Sequence, residues 1–235
     1  MDDKVGKERL IELGVRRGRH ITDKWAKTIA LLSHPRVGSH IPLTKPFGAD
    51  QLRSMLDTYW MVVIKPVNGS GGVGVMKVSR TPTGYAFSYL TGTRYYTDFR
   101  SLLAAINKQR KGRPYLVQRG IFLAEVSGKP VDYRVKYVKT GSKWRIKAFV
   151  GKMARKGLFV TNIRQGGTLI SAAKGIAASF SDNLVEAKKS KMRELTILAT
   201  EIIENRFPGV SRLGYDYGID KEGKIWIFEV NTRPQ

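Results

Sequence analysis

The segment Lys65-Pro66-Val67-Asn68-Gly69-Ser70-Gly71-Gly72-Val73-Gly74 constrains this chain more than any other. Gly69, Gly71 and Gly74 satisfy G-x-G-x-x-G, a spacing that opens a helix in dinucleotide-binding folds. Here it runs instead into Val73-Gly74-Val75-Met76-Lys77-Val78, whose β-branched residues predict a strand. No Lys-Ser or Lys-Thr follows Gly74, so a P-loop is excluded as well. What remains is a glycine flap between two antiparallel strands, able to bring backbone N–H groups close to phosphates. Lys65, ending the incoming strand, would add a cation there. A glycine-rich hairpin with a surface lysine accounts for the same residues.

Around this flap the sequence alternates helix and strand signals. Thr22 is placed to cap a helix bearing Trp25, Ile29 and Leu32. After a loop through His40-Ile41-Pro42-Leu43-Thr44, a second helix carries Leu52, Met55, Leu56 and Tyr59 on one face. Strands follow at 61–65, 73–78 and 85–90, and Thr97 is placed to cap a helix striped with Phe99, Leu102, Leu103 and Ile106. Residues 115–119 predict another strand, 131–138 and 144–150 two more, and 186–206 the clearest helix. The chain closes on a hairpin of 213–219 and 225–230. The fold class is α+β with mostly antiparallel strands.

Composition narrows the chemistry. The 235 residues include no cysteine, which excludes disulfides, thiolate nucleophiles and Cys-ligated metals. The three histidines all precede residue 41 and form no H-E-x-x-H pattern, so neither a zinc site nor a histidine base is expected. Met1-Asp2-Asp3-Lys4 does not open a signal peptide, and no apolar stretch approaches membrane-spanning length. A soluble cytoplasmic protein with no membrane span is the expectation. The 42 Lys+Arg against 19 Asp+Glu give a formal charge of +23, spread along the chain. Such a field draws polyanions: nucleic acid, acidic polymers, anionic lipid or phosphorylated substrates.

Three further constellations carry chemistry. In the terminal hairpin, pairing Ile219 with Trp226 would set Asp216 opposite Glu229 and put Asn231 on the same face. Two carboxylates and an amide oxygen, converging without a compensating cation, suit a hard divalent ion. A solvated hairpin with Glu229 bonded to a nearby Arg is the alternative. Asp132 and Arg134 share one strand face, where the guanidinium suits phosphate or carboxylate and a cross-strand ion pair is the simpler reading. The loop Asn162-Ile163-Arg164-Gln165-Gly166-Gly167 exposes backbone donors, as an ordinary turn also would.

Taken in order, these segments closely resemble the ATP-grasp superfamily. The ordered set runs from Lys24 in Thr22-Asp23-Lys24-Trp25, through the Ile41-Pro42-Leu43-Thr44 loop and the Lys65 flap, to Val117-Gln118-Arg119-Gly120-Ile121 and Asp132-x-Arg134. It continues with Arg155, Asn162–Gly167, Gly214-x-Asp216 and Glu229-x-Asn231. Ile41-Pro42-Leu43-Thr44 and Asn231-Thr232-Arg233-Pro234 look most like the endospore coat-associated YheC/YheD branch. The resemblance implies an ATP-grasp fold in which two α+β subdomains clamp ATP. It implies a basic leader and helix over 1–40, a small subdomain with the flap over 41–119 and a large one with a metal site over 120–235. The separate N-terminal domain usual in that superfamily would be largely absent.

The resemblance also implies roles. Lys24 and Lys65, with Gly69, Ser70, Gly71 and Gly72 of the flap, would hold ATP phosphates. Gln118, Arg119, Gly120 and Ile121 would bind adenine through their backbone, and Glu125 the ribose. Arg134, Arg155 and Asn162 would serve the transferred phosphate and acceptor. Asp216, Glu229 and Asn231 would hold Mg²⁺, or Mn²⁺ in its place. Val160 stands where related amino-acid ligases carry an arginine, and Arg119 where an acidic hinge residue is common. The implied activity is an ADP-forming carboxylate–amine ligase working through an acyl phosphate, with spore association following from the branch. The acceptor is not identified by the resemblance, and the charge of +23 points to an acidic peptide or polymer. A small-molecule kinase on the same fold and a non-catalytic basic module binding coat protein or nucleic acid are the rivals, and nucleic acid is the less favoured partner.

Overall fold

The computed structural model describes residues 18–69, 71–155, 159, 161 and 166–234. The elements in chain order are helices α1 (Lys24–Leu32) and α2 (Pro35–Gly38), strand β1 (Thr44–Pro46), helix α3 (Ala49–Tyr59) and strands β2 (Met61–Pro66), β3 (Met76–Thr81), β4 (Gly84–Tyr89) and β5 (Gly92–Tyr96). Helix α4 (Phe99–Arg110) and strands β6 (Tyr115–Arg119), β7 (Glu125–Val126), β8 (Lys129–Thr140), β9 (Lys143–Met153) and β10 (Thr168–Ser171) follow. Helices α5 (Ala172–Ser179) and α6 (Val185–Arg206) and strands β11 (Arg212–Ile219) and β12 (Ile225–Asn231) complete the fold.

The strands form two antiparallel sheets, in the orders β1-β6-β2-β3-β4-β5 and β10-β9-β8-β11-β12, with β7 added to β8. Each sheet has its own core. Leu52, Met55 and Leu56 of α3 and Leu102 and Ile106 of α4 cover Val62, Ile64 and Val78 of the first sheet. Leu195, Ala199 and Ile203 of α6 cover Val135, Leu213 and Ile227 of the second. Each fully buried Val, Leu, Ile or Met side chain among them contributes about 1.5–3 kcal/mol. Ala30, Leu31, Val37 and Ile41 join the second core, so α1 packs with the C-terminal half of the chain. Thr232 completes that join by accepting from the Ile21 N–H at 2.8 Å.

Strand alternation then aims the polar residues. Tyr215 and Tyr217 of β11 point into the second core, where their hydroxyls meet Thr200 and Thr196 of α6, each at 2.8 Å. Thr196 and Thr200 stand one helical turn apart, matching the two-residue repeat of the strand. Asp216, between the two tyrosines, faces the opposite way. In β8, Tyr133 and Val135 are buried in the core while Asp132 and Arg134 take the other face.

Several expectations are corrected. Asp23 and Asp98, not Thr22 and Thr97, cap α1 and α4, accepting from the N–H groups of Ala26 at 3.0 Å and Ser101 at 2.8 Å. A carboxylate accepts more strongly and also complements the helix dipole. The strand expected from Val73 starts at Met76, because Gly71, Gly72 and Gly74 hold φ values of +70°, +74° and +78°, a turn conformation. The pairing of Ile219 with Trp226 is also wrong. Ile219 pairs with Ile225 and Gly218 with Trp226, and the register then shifts between Tyr217 and Asp216. Asp216 still meets Glu229, because the shift leaves Phe228 without a partner. Strict alternation from Ile225 and Ile227 would have driven Glu229 into the core. The bulge instead puts Val230 there.

Candidate active site

Between the two sheets lies a cavity of about 390 Å³. The first sheet contributes alternate residues: Met61, Val63 and Lys65 of β2 and Lys77 and Ser79 of β3. The second sheet contributes Asp132, Arg134, Lys152, Asp216, Glu229 and Asn231. Lys24, Gly69, Gly71, Gly72, Gln118, Arg119, Ile121 and Glu125 also line it. Residues scattered over most of the sequence therefore converge on one space.

Lys65 is fully enclosed. Its ammonium donates to Gln118 Oε1 at 3.0 Å and to the Phe228 carbonyl at 2.9 Å. The bulge at Phe228 leaves that residue outside the strand pairing, and its carbonyl goes to Lys65. The Phe228 ring lies over Gly218, where a Cβ would sit 2.3 Å from it, so only glycine fits beneath. Burial lowers the Lys65 pKa to about 8 despite the opposing pull of Glu229. Lys24 donates to the Gly69 carbonyl and stands 3.3 Å from Glu229, tying the flap to the floor of the cavity. Lys27, one helical turn from Lys24, is buried with its ammonium on the Ile21 carbonyl at 2.9 Å, and burial lowers its pKa to about 8 as well.

The floor is an ion network. Arg134 grips Asp216 with two hydrogen bonds, Nε to Oδ1 at 2.6 Å and the terminal nitrogen to Oδ2 at 2.8 Å. Lys152 reaches Asp216 at 2.9 Å and Asp132 at 3.0 Å, and Thr161 donates to Asp132. Asn231 donates to Asp216 Oδ2 at 3.1 Å. Burial pushes the Asp216 carboxyl up, but Lys152 and Arg134 outweigh it and hold Asp216 below the usual range. Asp132 is displaced upward by burial, with Asp216 adding to the effect against Lys152. The expectation that Asp216, Glu229 and Asn231 converge without a compensating cation is therefore corrected. Lys24, Lys65, Lys27, Arg134 and Lys152 gather around Asp132, Asp216 and Glu229, leaving an excess of positive charge suited to an anionic ligand.

No cluster of three His, Cys, Asp or Glu residues stands ready for a metal among the described residues. Asp216 and Glu229 nonetheless face each other across one strand pair with Asn231 beside them. Magnesium is commonly held by one or two carboxylates plus substrate phosphates, so this donor set fits it.

Other expected site residues are placed differently. The N–H groups of Arg119 and Gly120 are already bonded to the carbonyls of Leu43 at 2.8 Å and Met61 at 2.9 Å. They are not free to hold a base, and Gly120 does not line the cavity. Gln118, Arg119 and Ile121 do line it, beside Phe122 and Leu123. Gln118 spends its side chain between Lys65 and Thr44. Arg119 lies over the rings of Tyr59 at 5.0 Å and Trp226 at 5.3 Å, bridging the two halves. Arg155 is exposed and outside the cavity lining, near Gly166. Ser70 and Asn162 fall outside the described residues. Lys152 and Lys27 were not singled out from the sequence. The alternation of β9 carries a signal for Lys152, which pairs in register with Asp132. Lys27 sits among helix residues and has no such signal.

The chain is similar to known proteins in sequence and in fold. The family model described as YheC/D-like ATP-grasp matches residues 17–235. Endospore coat-associated protein YheD of Bacillus subtilis (strain 168) is 31% identical over 222 residues, covering 90% of this chain and 48% of its own length. The chain thus spans about half of that relative. A carboxyaminoimidazole ribonucleotide synthase from Aspergillus clavatus, solved with ATP, superposes with a TM-score of 0.59 at 13% identity, over 92% of this chain and 46% of that one. An L-amino acid ligase from Bacillus licheniformis superposes with a TM-score of 0.52 at 15% identity, over 90% of this chain and 40% of that one. At these identities the structural likeness establishes the fold.

Proposed function

The chain belongs to the YheC/D-like ATP-grasp family, and from that premise we propose that it is an ATP-dependent carboxylate–amine ligase working through an acyl phosphate. The observation that carries the reading is the placement of the flap and the ion network on opposite walls of one cavity. The flap glycines lie where backbone N–H groups can approach phosphates, and Lys24 anchors the flap to Glu229. Lys65, on the sheet that carries the flap, supplies a positive charge fixed by two acceptors and so preorganised for developing negative charge. The apolar edge at Ile121, Phe122 and Leu123 would take the base.

Asp216, Glu229 and Asn231 would hold Mg²⁺ or Mn²⁺, which would offset the negative charge of the phosphates during transfer. Arg134 and Lys152 keep Asp216 ionised and fixed in place. Arg134 also lies on the cavity wall, where a substrate carboxylate can approach it. In the reaction, a carboxylate oxygen attacks the γ-phosphorus and ADP leaves. The amine then attacks the acyl carbon, losing a proton as inorganic phosphate departs. Neither step needs a side-chain nucleophile, in keeping with a chain that has no cysteine.

Hydroxylamine tests this directly. With ATP, Mg²⁺ and a panel of carboxylic acids that includes glutamate peptides, a hydroxamate should accumulate with stoichiometric ADP. A stable phosphorylated product with no hydroxamate would assign the chain to the kinases instead.

A further inference from the structure

Beyond the cavity, the cleft face of the second sheet continues as a strip of cations. Lys136 follows Arg134 on β8, opposite Ala148 of β9 and Gly214 of β11. Val138, next on that face, lies opposite Arg145 of β9 and Arg212 of β11. Arg145 is exposed, and Lys136 and Arg212 are half-buried. Among the described residues, none of the three is in an ion pair. The helix face of the same two strands behaves differently. There Lys139 is paired with Glu204 of α6, which also accepts from Trp144. Charge is neutralised internally on the helix face, and on the cleft face within the cavity floor, but it is left open at Lys136, Arg145 and Arg212.

The geometry of the strip points to its ligand. Same-face residues of a strand recur about every 6.8 Å. A peptide laid out in the extended conformation presents alternate side chains at the same repeat. The positions between and beside the cations are Val150, Ala148, Gly214 and Val138. These offer no aromatic platform on which nucleotide bases would stack. Pro234 lies over Gly214, where a Cβ would sit 2.5 Å from it, so the room for a peptide backbone is along Ala148 and Val138. We infer that the strip Arg134, Lys136, Arg145 and Arg212 seats an extended acidic peptide, with its innermost carboxylate at Arg134. This rests on the ligase reading for the fate of that carboxylate, but docking is a separate property. Attraction of this kind reaches only about 8 Å at physiological ionic strength, so the peptide must lie along the strip itself.

The test is fluorescence anisotropy of a labelled peptide of alternating glutamate and alanine, measured at low and physiological salt without ATP. The triple variant Lys136→Gln, Arg145→Gln, Arg212→Gln should weaken binding about tenfold, the sum of three modest surface attractions. Lys189→Gln, on α6, should leave it unchanged. A peptide of equal charge with glutamate at every third position should bind less tightly than the alternating one. Unchanged affinity in the triple variant overturns the proposal. So does an equal loss of oligothymidylate binding, which would make the strip a general polyanion surface. A parallel fall in ATP affinity, read by calorimetry, would assign the residues to the nucleotide site and also overturn it. Docking that responds to the variant, without any hydroxamate, would sustain the strip and sink the ligase. Hydroxamate formation with a docking-indifferent variant would do the reverse.

Discussion

Lys65 and Lys152 face the same cavity from opposite sheets, and burial acts on both, yet their affinities for protons move in opposite directions. Among the described residues, the hydrogen-bond partners of Lys65 are neutral oxygens, Gln118 Oε1 and the Phe228 carbonyl. Burial prevails there and lowers its pKa to about 8. Lys152 is penalised by burial too, but Asp216 and Asp132 together overcome it and raise its pKa. The difference separates two ways of keeping a cation inside a protein. One is paired internally and holds the floor together. The other carries a charge that the fold does not compensate by contact, and a ligand phosphate would supply what is missing.

The largest effect expected from this contrast is on stability. Lys152→Met leaves Asp132 and Asp216 close together with one cation fewer, and should destabilise the fold by about 3–5 kcal/mol, the cost of breaking a buried pair from one side. Urea unfolding would measure it. Lys65→Met should cost little or even stabilise, since it removes a charge that burial penalises. Equal losses in the two variants would break the comparison.

For ligand binding the order reverses. Lys65→Met should weaken ATP binding by about 1.5–3 kcal/mol, the range for a hydrogen bond to a charged group. Calorimetry at neutral pH would show it, and unchanged affinity would remove Lys65 from the nucleotide site.

The smallest effect is on protons, and it sharpens the contrast. Between pH 8 and 10.5, unliganded Lys65 has lost its proton in the folded chain while the unfolded chain retains one. Its contribution to stability therefore rises with pH across that window. Lys152 acts the other way: its contribution is fully present below the unfolded pKa and disappears as pH rises through its raised folded value. ATP binding at pH 9 should then draw a proton onto Lys65. Calorimetry in two buffers of different ionisation enthalpy should detect uptake at pH 9 and much less at pH 7. Lys65→Met should reduce it, and the remainder would measure the share of Lys27, whose pKa is also about 8. No uptake at pH 9 in the unaltered chain would mean that Lys65 does not meet the phosphates.

Local rules made much of this legible in advance. The β-branched run after the glycines predicted a strand, and the positive φ angles of Gly71, Gly72 and Gly74 explain why the flap precedes it. Alternation in β8 placed Asp132 and Arg134 on one face, because side chains in a strand repeat every two residues whatever lies around them. That Asp216 shares this face follows from the pairing of β11 with β8. The family resemblance was likewise carried by short segments in a fixed order, and the family model matches residues 17–235.

What only the tertiary structure decided depends on contacts between distant segments. The bulge at Phe228 aims Glu229 into the cleft and puts a carbonyl on Lys65. The N–H groups of Arg119 and Gly120 are taken by Leu43 and Met61. Lys152 compensates carboxylates on two other strands, and Lys27 lies buried beneath the site. The periodicity of a segment reports which residues share a face. It does not report the register of a strand against its neighbour, or which buried charge finds a partner, because both are set by hydrogen bonds and electrostatic contacts with residues far along the chain.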